Sequence, residues 1–371
     1  MNRTVAIIGA GPAGCAAAIT LARAGRQVTL LERSPVTTEK VCGEFMAADA
    51  AAVLQGLGLD LAALGALPLS RVIMGAGRRQ AAFALPLEAW SLPRLVLDAA
   101  LLRAASDAGA TIRLGTTVRR AEPSPQGWRL HLAADETLDA SSLVLATGKH
   151  DLRGHAREAP SGSVGLKVVI AGASLPGVTA LLAFRGGYAG LQPRSGGEAN
   201  LCMAVDPARR PLLAEARDAG ALVSLVAEGS DLARHLLRGA TPLTARPLAV
   251  AGIPYGYRHR AGAAAGLYRV GDQAAVIPSL TGDGVALALA SGVAAGRAIL
   301  AGEEAQTFQS AWTAALAWPM RLACGLDRGL GVMPGVLVGV TSAFPGLARW
   351  LSGQVRVPPS PAKARIMHPG A

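Results

Sequence analysis

The chain has 371 residues and is 51% hydrophobic, which is enough to bury a sizeable core and to form about two domains. Its formal net charge of +11 would suit nucleic acid or an anionic membrane, but the positive charge is almost all arginine and is scattered along the chain. Since there is neither a basic block nor an aromatic stacking set, we do not expect nucleic-acid binding.

The cysteines at positions 15, 42, 202 and 324 have no CxxC spacing and no nearby histidine pair. We therefore expect neither a metal site nor a disulfide framework. No signal-peptide pattern opens the chain, and prolines and glycines interrupt its longest apolar run near the end. These features predict a cytoplasmic protein, with a peripheral position at the inner membrane face as the alternative.

The first element is a β-branched strand, "TVAIIG", that leads directly into Gly9, Gly11 and Gly14. A helix of small residues follows, and a second strand, "QVTLLER", ends at Glu32. The first glycine suits the tight turn, the second lets backbone amides approach a pyrophosphate, and the third permits close helix packing. Glu32 is placed to accept hydrogen bonds from ribose hydroxyls. This unit predicts dinucleotide binding, and we include the neighbouring Pro12, Ala13 and Arg33 in the site.

A second contact for the same ligand is predicted far downstream, in "LYRVGDQAAVIPSLTGDGVALALASG". A short strand delivers Asp272, which can bind the hydroxyls of a ribityl chain. A loop through Pro278 then reaches Gly282, Asp283 and Gly284 at the start of a helix, whose N-terminus can face the pyrimidine end of a flavin. A protein that binds only NAD has no use for this second contact, so the pair favours FAD.

This paired arrangement resembles the FAD-binding fold shared by p-hydroxybenzoate hydroxylase and geranylgeranyl reductase. The resemblance implies an α/β protein with a Rossmann-type, glutathione-reductase-like FAD-binding domain, an interleaved β-sheet substrate domain and C-terminal helices. It also implies that Arg94 lies beside the cofactor on a helix that feeds a strand ending near Val118. The turn "ATG", with Thr147 and Gly148, resembles one that many such flavoproteins share.

We predict that residues 1–70, 94–155 and 265–300 form the FAD-binding domain, and that residues 71–93 and 156–264 form a substrate domain that caps the flavin. Residues 301–371 are predicted to be helical and to end in a mobile, proline-rich tail. Residues 312–352 combine tryptophans and arginines with aliphatic residues, which favours either a membrane-surface or lipid-entry element or a helical pair packed on the cap.

The stretch "KVCGEF" resembles the Lys-Pro-Cys-Gly-Gly loop that approaches the flavin in geranylgeranyl reductases. The resemblance places Cys42 and Gly43 beside the flavin, where Cys42 is a contact or a proton donor. Glu44 departs from that pattern. It is either a general acid in an apolar pocket or the partner of Lys40 or of a cap arginine in a salt bridge. In a chain that uses arginine almost everywhere, Lys167 is a further catalytic candidate.

The electron donor is open at the level of the sequence. Aromatic hydroxylases carry Asp-Gly after the corresponding FAD strand, a feature tied to NAD(P)H use, but here threonine stands at position 147. NAD(P)H is therefore a possible transient donor, with Lys149, His150 and Arg153 able to attract a phosphate, and a protein redox partner is the alternative. Flavin-dependent halogenases share the fold but carry a Trp-x-Trp-x-Ile-Pro motif, which "EAWSLPR" does not match.

We expect an FAD-dependent oxidoreductase that acts on a hydrophobic small molecule, because the chain is strongly aliphatic and only 4% aromatic. The preferred activity is monooxygenation of an aromatic, polyketide-like or lipid-like biosynthetic substrate. The alternatives are reduction of isoprenoid double bonds and a non-catalytic electron carrier at the membrane surface.

Overall fold

The computed structural model of the chain describes residues 4–159, 162–206, 208, 218–260, 262 and 264–356. The tail that the sequence predicts to be mobile lies outside these residues.

The strands, in chain order, are β1 (Val5–Ile8), β2 (Val28–Leu31), β3 (Phe45–Met46), β4 (Leu67–Ala76), β5 (Arg79–Ser91), β6 (Thr111–Arg113), β7 (Val118–Ser124), β8 (Gly127–Leu132), β9 (Thr137–Ala140), β10 (Ser142–Leu145), β11 (Ser163–Ala171), β12 (Val178–Phe184), β13 (Gly187–Pro193), β14 (Glu198–Val205), β15 (Thr241–Pro242), β16 (Leu248–Ile253) and β17 (Leu267–Arg269). The helices are α1 (Pro12–Arg23), α2 (Ala48–Gly56), α3 (Arg94–Asp107), α4 (Ala219–Ala227), α5 (Asp231–Leu236), α6 (Gly284–Ala301), α7 (Ala305–Ala315), α8 (Ala317–Val332), α9 (Pro334–Ala343) and α10 (Pro345–Gln354).

The first sheet is parallel, in the order β17-β10-β1-β2-β6. Its central strand is apolar throughout because both of its faces are covered. Val5 and Ile7 pack with helices α1, α3 and α6, whereas Ala6 and Ile8 pack with Trp128 in the small antiparallel sheet β7-β8-β9. The carboxyl ends of β1, β2, β10 and β17 therefore meet at one edge, between these two layers.

The second sheet is larger and mostly antiparallel, in the order β15-β11-β14-β13-β12-β4-β5-β3, with β16 paired to β11. One face packs on α4 and α5 through residues such as Leu182, Leu201 and Leu222. Part of the opposite face contacts α8 and α9, where Met74 and Tyr188 meet Leu330 and Val338. The rest of this face is turned towards the carboxyl edge of the first sheet and forms the cap.

The strand expected to end near Val118 ends instead at Arg113. Gly115 has a φ of 66°, in the left-handed region, and turns the chain before Val118 begins β7. The residue bounds predicted for the FAD-binding and cap domains stay predictions.

Within residues 305–356 the C-terminal region forms four helices, α7 to α10, rather than a single helical pair. Helices α8 and α9 meet at an angle of 115°, where Met333 and Pro334 interrupt the helical backbone. Helix α6 is by length and composition able to cross a membrane, but 67% of it is buried inside the protein. Helix α6 is therefore explained by its place in the core, against α1.

Two glycines of the first turn allow a direct test of this packing. A Cβ at Gly14 would overlap the carbonyl oxygen of Gly9, whereas a Cβ at Gly11 would meet nothing within 4 Å. We expect Gly14→Ala to lower the free energy of unfolding of the ligand-free chain by about 1–3 kcal/mol, because backbone cannot give way as a flexible side chain does. Gly11→Ala, the matched control, should cost less than about 1 kcal/mol in the same urea titration. Equal losses in the two variants would contradict this account.

A second test concerns His259, whose side chain is buried. Its Nδ1 atom forms a hydrogen bond of 3.0 Å with the Tyr257 hydroxyl, and its Nε2 atom has no hydrogen-bond partner. Burial and the charge of Arg269 lower its pKa to about 4. The unfolded chain therefore binds the proton more readily, so stability is complete above about pH 6.5 and is lost as the pH falls from there towards 4.

We expect His259→Gln to flatten the plot of unfolding free energy against pH over this interval. The slope removed should be at most about 1.4 kcal/mol per pH unit, measured by urea unfolding at several pH values. His235→Gln, at an exposed position on α5, is the control. A slope that His259→Gln leaves unchanged would show that the buried ring does not couple folding to protons.

Candidate functional site

A cavity of about 770 Å³ lies between the carboxyl edge of the first sheet, the cap and the C-terminal helices. Ligands of open parallel sheets bind outside the carboxyl ends of the strands, where the loops diverge. The predicted cofactor residues that line this cavity are Gly9, Gly11, Pro12, Ala13, Glu32, Arg33, Cys42, Gly43, Arg94, Val118, Thr147, Gly148, Asp272, Gly282 and Gly284. Most of the residues that the sequence predicts to bind the cofactor therefore lie in the wall of one cavity.

The N-terminus of α1 faces the cavity without a side-chain cap. Gly11 is the N-cap, Pro12 begins the helix, and no acidic residue lies in the first turn. The free amide groups and the positive end of the helix dipole therefore remain available to an anion. The open space over Gly11 gives a phosphate access to this backbone, while Gly14 lies beneath the turn and packs against Gly9.

Glu32 stands at the end of β2 with its carboxylate fixed by the backbone. Oε2 accepts from the amide of Ala10 and Oε1 accepts from the amide of Ser34, each at 3.0 Å. A carboxylate has acceptor capacity beyond these two bonds, and Glu32 lines the cavity. It can therefore accept hydroxyl groups of a ribose, as the sequence predicts.

The downstream loop supplies the opposite wall. Gly282 is left-handed, with a φ of 72°, and a Cβ there would overlap the ring of Phe45, whereas Gly284 at the start of α6 has open space before it. This glycine pair lets the loop and the uncapped helix approach a flat ligand closely.

Three predicted cofactor residues, Gly14, Pro278 and Asp283, are not part of the cavity wall. Asp283 is fully buried and its Oδ1 accepts from Nη1 of Arg356 at 2.7 Å, while Oδ2 has no partner. Burial raises the pKa of this carboxyl, against the opposing charge of Arg356. The Asp283 side chain therefore points inward, and Arg356 lines the cavity in its place. Contacts of Gly14, Pro278 and Asp283 with the cofactor stay predictions.

The "KVCGEF" loop crosses from the nucleotide end to the cap and carries a buried ion-pair cluster. Glu44, 1% exposed, contacts Nζ of Lys167 at 2.6 Å and Nε of Arg194 at 2.9 Å. Glu39 contacts the same two cations, each at 2.7 Å. Burial alone would raise the pKa of Glu39, but the bonds and charges of Lys167 and Arg194 outweigh it, so the pKa is lowered. We call Glu39, Glu44, Lys167 and Arg194 the bridging cluster, because it joins this loop to β11 and to the end of β13.

The bridging cluster decides between the alternatives for Glu44. The expected salt bridge with a cap arginine is present, through Arg194. Lys40 is the wrong partner, since its Nζ donates to Thr38 instead. Lys167 is 1% exposed and does not line the cavity, so it is an ion-pair residue behind the wall rather than a group that could touch a ligand.

Cys42 lies in the cavity wall beside a buried cation. Its sulfur accepts from the amide of Glu44 at 3.4 Å, and Asn200 donates to its carbonyl oxygen at 2.9 Å. Arg94 donates two hydrogen bonds of 2.9 Å to Asp98. Burial alone would lower the pKa of this guanidinium, but Asp98 and Cys42 outweigh it, so the pKa is raised. A thiol and a permanent positive charge therefore meet at the point where the loop enters the cavity.

The turn after β10 completes the nucleotide end. The hydroxyl of Thr147 is buried at the cavity wall and has no hydrogen-bond partner, so it can bond to a ligand. Burial, and then the charges of Arg33, Lys40, Lys149 and Arg157, lower the pKa of His150. This end of the cavity therefore concentrates positive charge, which suits phosphate groups.

The other end of the cavity is apolar. Strands β4 and β5 contribute Val72, Met74, Phe83 and Leu85, and helices α9 and α10 contribute Leu337, Val340, Phe344, Leu347 and Leu351. Tyr188 and Tyr255 lie between the two ends, and burial raises the pKa of each phenol. Sequence reasoning missed both tyrosines and the bridging Arg194, because no local motif surrounds them.

These features together fit FAD. They are the free amides at the start of α1, the fixed carboxylate of Glu32, the unpartnered hydroxyl of Thr147, and the open space at Gly11 and Gly284. Each lies at the position that one part of this long molecule would require. The same groups would hold its pyrophosphate, its ribose and its ring system.

Comparisons with known proteins agree with this fit. Residues 2–159 match the family model described as an FAD binding domain. The menaquinone reductase of Mycolicibacterium smegmatis is 30% identical over 339 residues, which cover 83% of this chain and 78% of that protein. The menaquinone reductase of Mycobacterium tuberculosis is 29% identical over 358 residues, covering 88% and 81%.

Solved structures share the fold at lower identity. The flavin-dependent brominase Bmp2 has a TM-score of 0.79 at 18% identity, over 99% of this chain and 98% of that one. The myxobacterial chondrochloren halogenase CndH has a TM-score of 0.77 at 19% identity, over 95% and 90%. The predicted fold class, the FAD cofactor and the enzymatic class are thereby confirmed. The chain is an FAD-dependent oxidoreductase and belongs to the superfamily of FAD-dependent monooxygenases and oxidoreductases that includes these menaquinone reductases.

Proposed function

We propose that the protein is an FAD-dependent reductase that saturates a carbon–carbon double bond in an isoprenoid lipid, with menaquinone as the first substrate to test. The observation that carries this proposal is the continuity of the cavity. It runs from the polar FAD cradle into an apolar channel whose wall includes Val340, Phe344 and Leu347, which are also exposed at the surface.

Substrate shape supports the proposal. A long aliphatic chain can lie along an apolar channel with its other end outside, whereas a compact polar substrate would leave most of that wall unsatisfied. The similarity to proteins named menaquinone reductase over more than four-fifths of the chain points to the same substrate class.

Bound FAD, once reduced, supplies a hydride. The chain itself binds and orients the reacting groups and supplies a proton for the second carbon of the double bond. Cys42 is the candidate donor, because its thiol lies in the wall at the flavin end and Arg94 offsets the negative charge left on sulfur. In this proposal Glu44 and Lys167 are positioning residues, since the bridging cluster holds the loop that carries Cys42.

In this proposal the middle of the cavity limits the entry of water by holding the cap against the loop before α6. The Tyr188 hydroxyl lies 2.9 Å from Oγ of Ser279 and accepts from the amide of Leu280 at 3.1 Å. These bonds tie the cap to the loop before α6. A dry site strengthens electrostatic interactions and limits competing proton transfer.

The electron donor is proposed to be NAD(P)H, visiting transiently. The cations Arg33, Lys40 and Lys149 and the ring of His150 gather at the nucleotide end of the cavity, where a phosphate could bind. A protein redox partner remains the alternative source of electrons.

Monooxygenation is the second candidate function. The specific observation in its favour is the apolar half of the cavity next to the FAD cradle, with the buried phenols of Tyr188 and Tyr255 between the two ends. Such an environment would suit oxygen transfer to an aromatic or polyketide-like substrate as well as hydride transfer to an alkene.

One experiment separates these activities. The FAD-loaded protein is reduced anaerobically with dithionite, mixed with menaquinone, and the extracted lipid is analysed by mass spectrometry, with and without admission of isotopically labelled O₂. We expect a gain of two hydrogen atoms in the isoprenoid side chain and no labelled oxygen. Incorporation of label would support monooxygenation. Oxidation of the flavin with an unchanged side chain would support an electron carrier.

The bridging cluster provides a second prediction. Glu44→Gln leaves the two buried cations with Glu39 and, for Arg194, the more distant and exposed Glu198 at 3.7 Å, and we expect it to lower the free energy of unfolding by about 3–5 kcal/mol. Adding Lys167→Met removes one uncompensated charge and should recover part of that loss, measured by urea unfolding of the ligand-free protein. Alkene reduction should remain slow in the double variant, since the loop has lost its anchor.

Arg113→Gln is the matched control, because its bidentate pair with Glu136 is exposed and surface pairs contribute little. If the double variant had the stability and turnover of the wild type, the inference that the bridging cluster positions the loop would be contradicted.

A further inference from the structure

Helices α8, α9 and α10 expose an apolar surface around the outer end of the cavity. We call it the apolar rim, and its residues are Val332, Met333, Val336, Val340, Phe344, Leu347 and Trp350, between 44% and 77% exposed. Monomeric soluble proteins rarely expose a contiguous apolar surface of this kind unless it contacts a partner or a membrane.

The geometry of the rim explains why these side chains point outward. The 115° bend between α8 and α9 and the short break before α10 place the apolar helix α9 between the amphipathic helices α8 and α10 in chain order. Val338 and Thr341 on α9 are buried, while Val336 and Val340 are exposed on the opposite side of the same helix. Neither α9 nor α10 is long enough to cross a bilayer, but both can lie in its interface.

Charge around the rim indicates which surface it fits. Residues 328–356 contain three arginines and no acidic residue. Arg328 and Arg349 are exposed on α8 and α10, and Arg79 reaches the rim by donating to the carbonyl oxygen of Gly335 at 2.8 Å. Arginine beside exposed tryptophan and aliphatic residues suits a bilayer that carries anionic headgroups.

A second copy of the chain is the less favourable occupant. A symmetric contact would bring the same arginines of two copies together, and like charges repel across an interface. It would also cover Phe344 and Leu347, which line the cavity where it meets the surface.

We propose that the apolar rim docks the protein on anionic lipid bilayers, so that the outer end of the cavity opens against the membrane and a lipid substrate enters from it. This inference rests on the proposed function only for the identity of the substrate. The docking itself is a property of the exposed helices.

The test measures co-sedimentation of the FAD-loaded full chain with vesicles, without substrate. One vesicle type contains phosphatidylglycerol and phosphatidylcholine, and the other contains phosphatidylcholine alone. We expect binding to the first, weakened by salt, and little binding to the second. Val336→Ser with Trp350→Ser should lower the partition coefficient by about tenfold or more, since both side chains are exposed and outside the cavity wall.

Matched variants separate the rim from general hydrophobicity and charge. Val36→Ser with Leu243→Ser removes two exposed aliphatic side chains elsewhere and should leave binding unchanged. Arg349→Gln should weaken binding to the anionic vesicles by about fivefold, while Arg238→Gln, at an exposed site on the cap, should not.

Equal binding by the rim variant and its control would overturn the proposal, and so would a dimer in size-exclusion chromatography that the rim variant dissociates. Turnover of detergent-solubilised menaquinone should be retained by the rim variant. Vesicle binding without any turnover would contradict the proposed function alone, and turnover without vesicle binding would contradict the docking alone.

Discussion

The ion pairs between Glu44 and the two cap cations are the contact on which the site depends. They cross the boundary between the two sheets and place the cofactor-facing loop against β11 and β13. Glu44 also adopts a left-handed φ of 62°, which a non-glycine residue rarely does, and its carboxylate accepts from the amide of Arg94 at 3.3 Å. The strained backbone of the loop and its orientation over the cavity are thus maintained by charge rather than by apolar packing.

A buried cluster of this kind is balanced, with two carboxylates and two cations, and three of the four side chains are nearly excluded from solvent. The desolvation cost of such a cluster is large, so a hydrophobic replacement of equal shape could stabilise the protein as well. What the charges add is a fixed orientation of the loop. Bidentate arginine and a paired lysine accept only one arrangement of the loop, which suits a segment that must meet a planar cofactor.

The parts of this architecture that the sequence predicted are local in the chain. The first βαβ unit places glycines, helix and Glu32 within 30 residues, and backbone geometry alone relates them. Arg194 lies 150 residues from Glu44, and neither residue type nor spacing indicates that they meet. The rarity of lysine singles out Lys167, but only the contacts with Glu39 and Glu44 show that its ammonium group is buried beneath these carboxylates rather than open to the cavity. The motif around Asp283 indicates the position of the loop but not the inward direction of this side chain, which depends on the distant Arg356.

The contact between Asp283 and Arg356 joins positions 73 residues apart and ties the end of the helical region to the start of α6. One wall of the cavity, with α9 and α10, is therefore made of the last part of the described chain to be synthesised. Until that part has left the ribosome, the cradle formed by the earlier sheets is open on this side. The apolar end of the cavity can therefore be closed only after these last helices have packed, and the Asp283–Arg356 ion pair then holds the chain just beyond α10 in place.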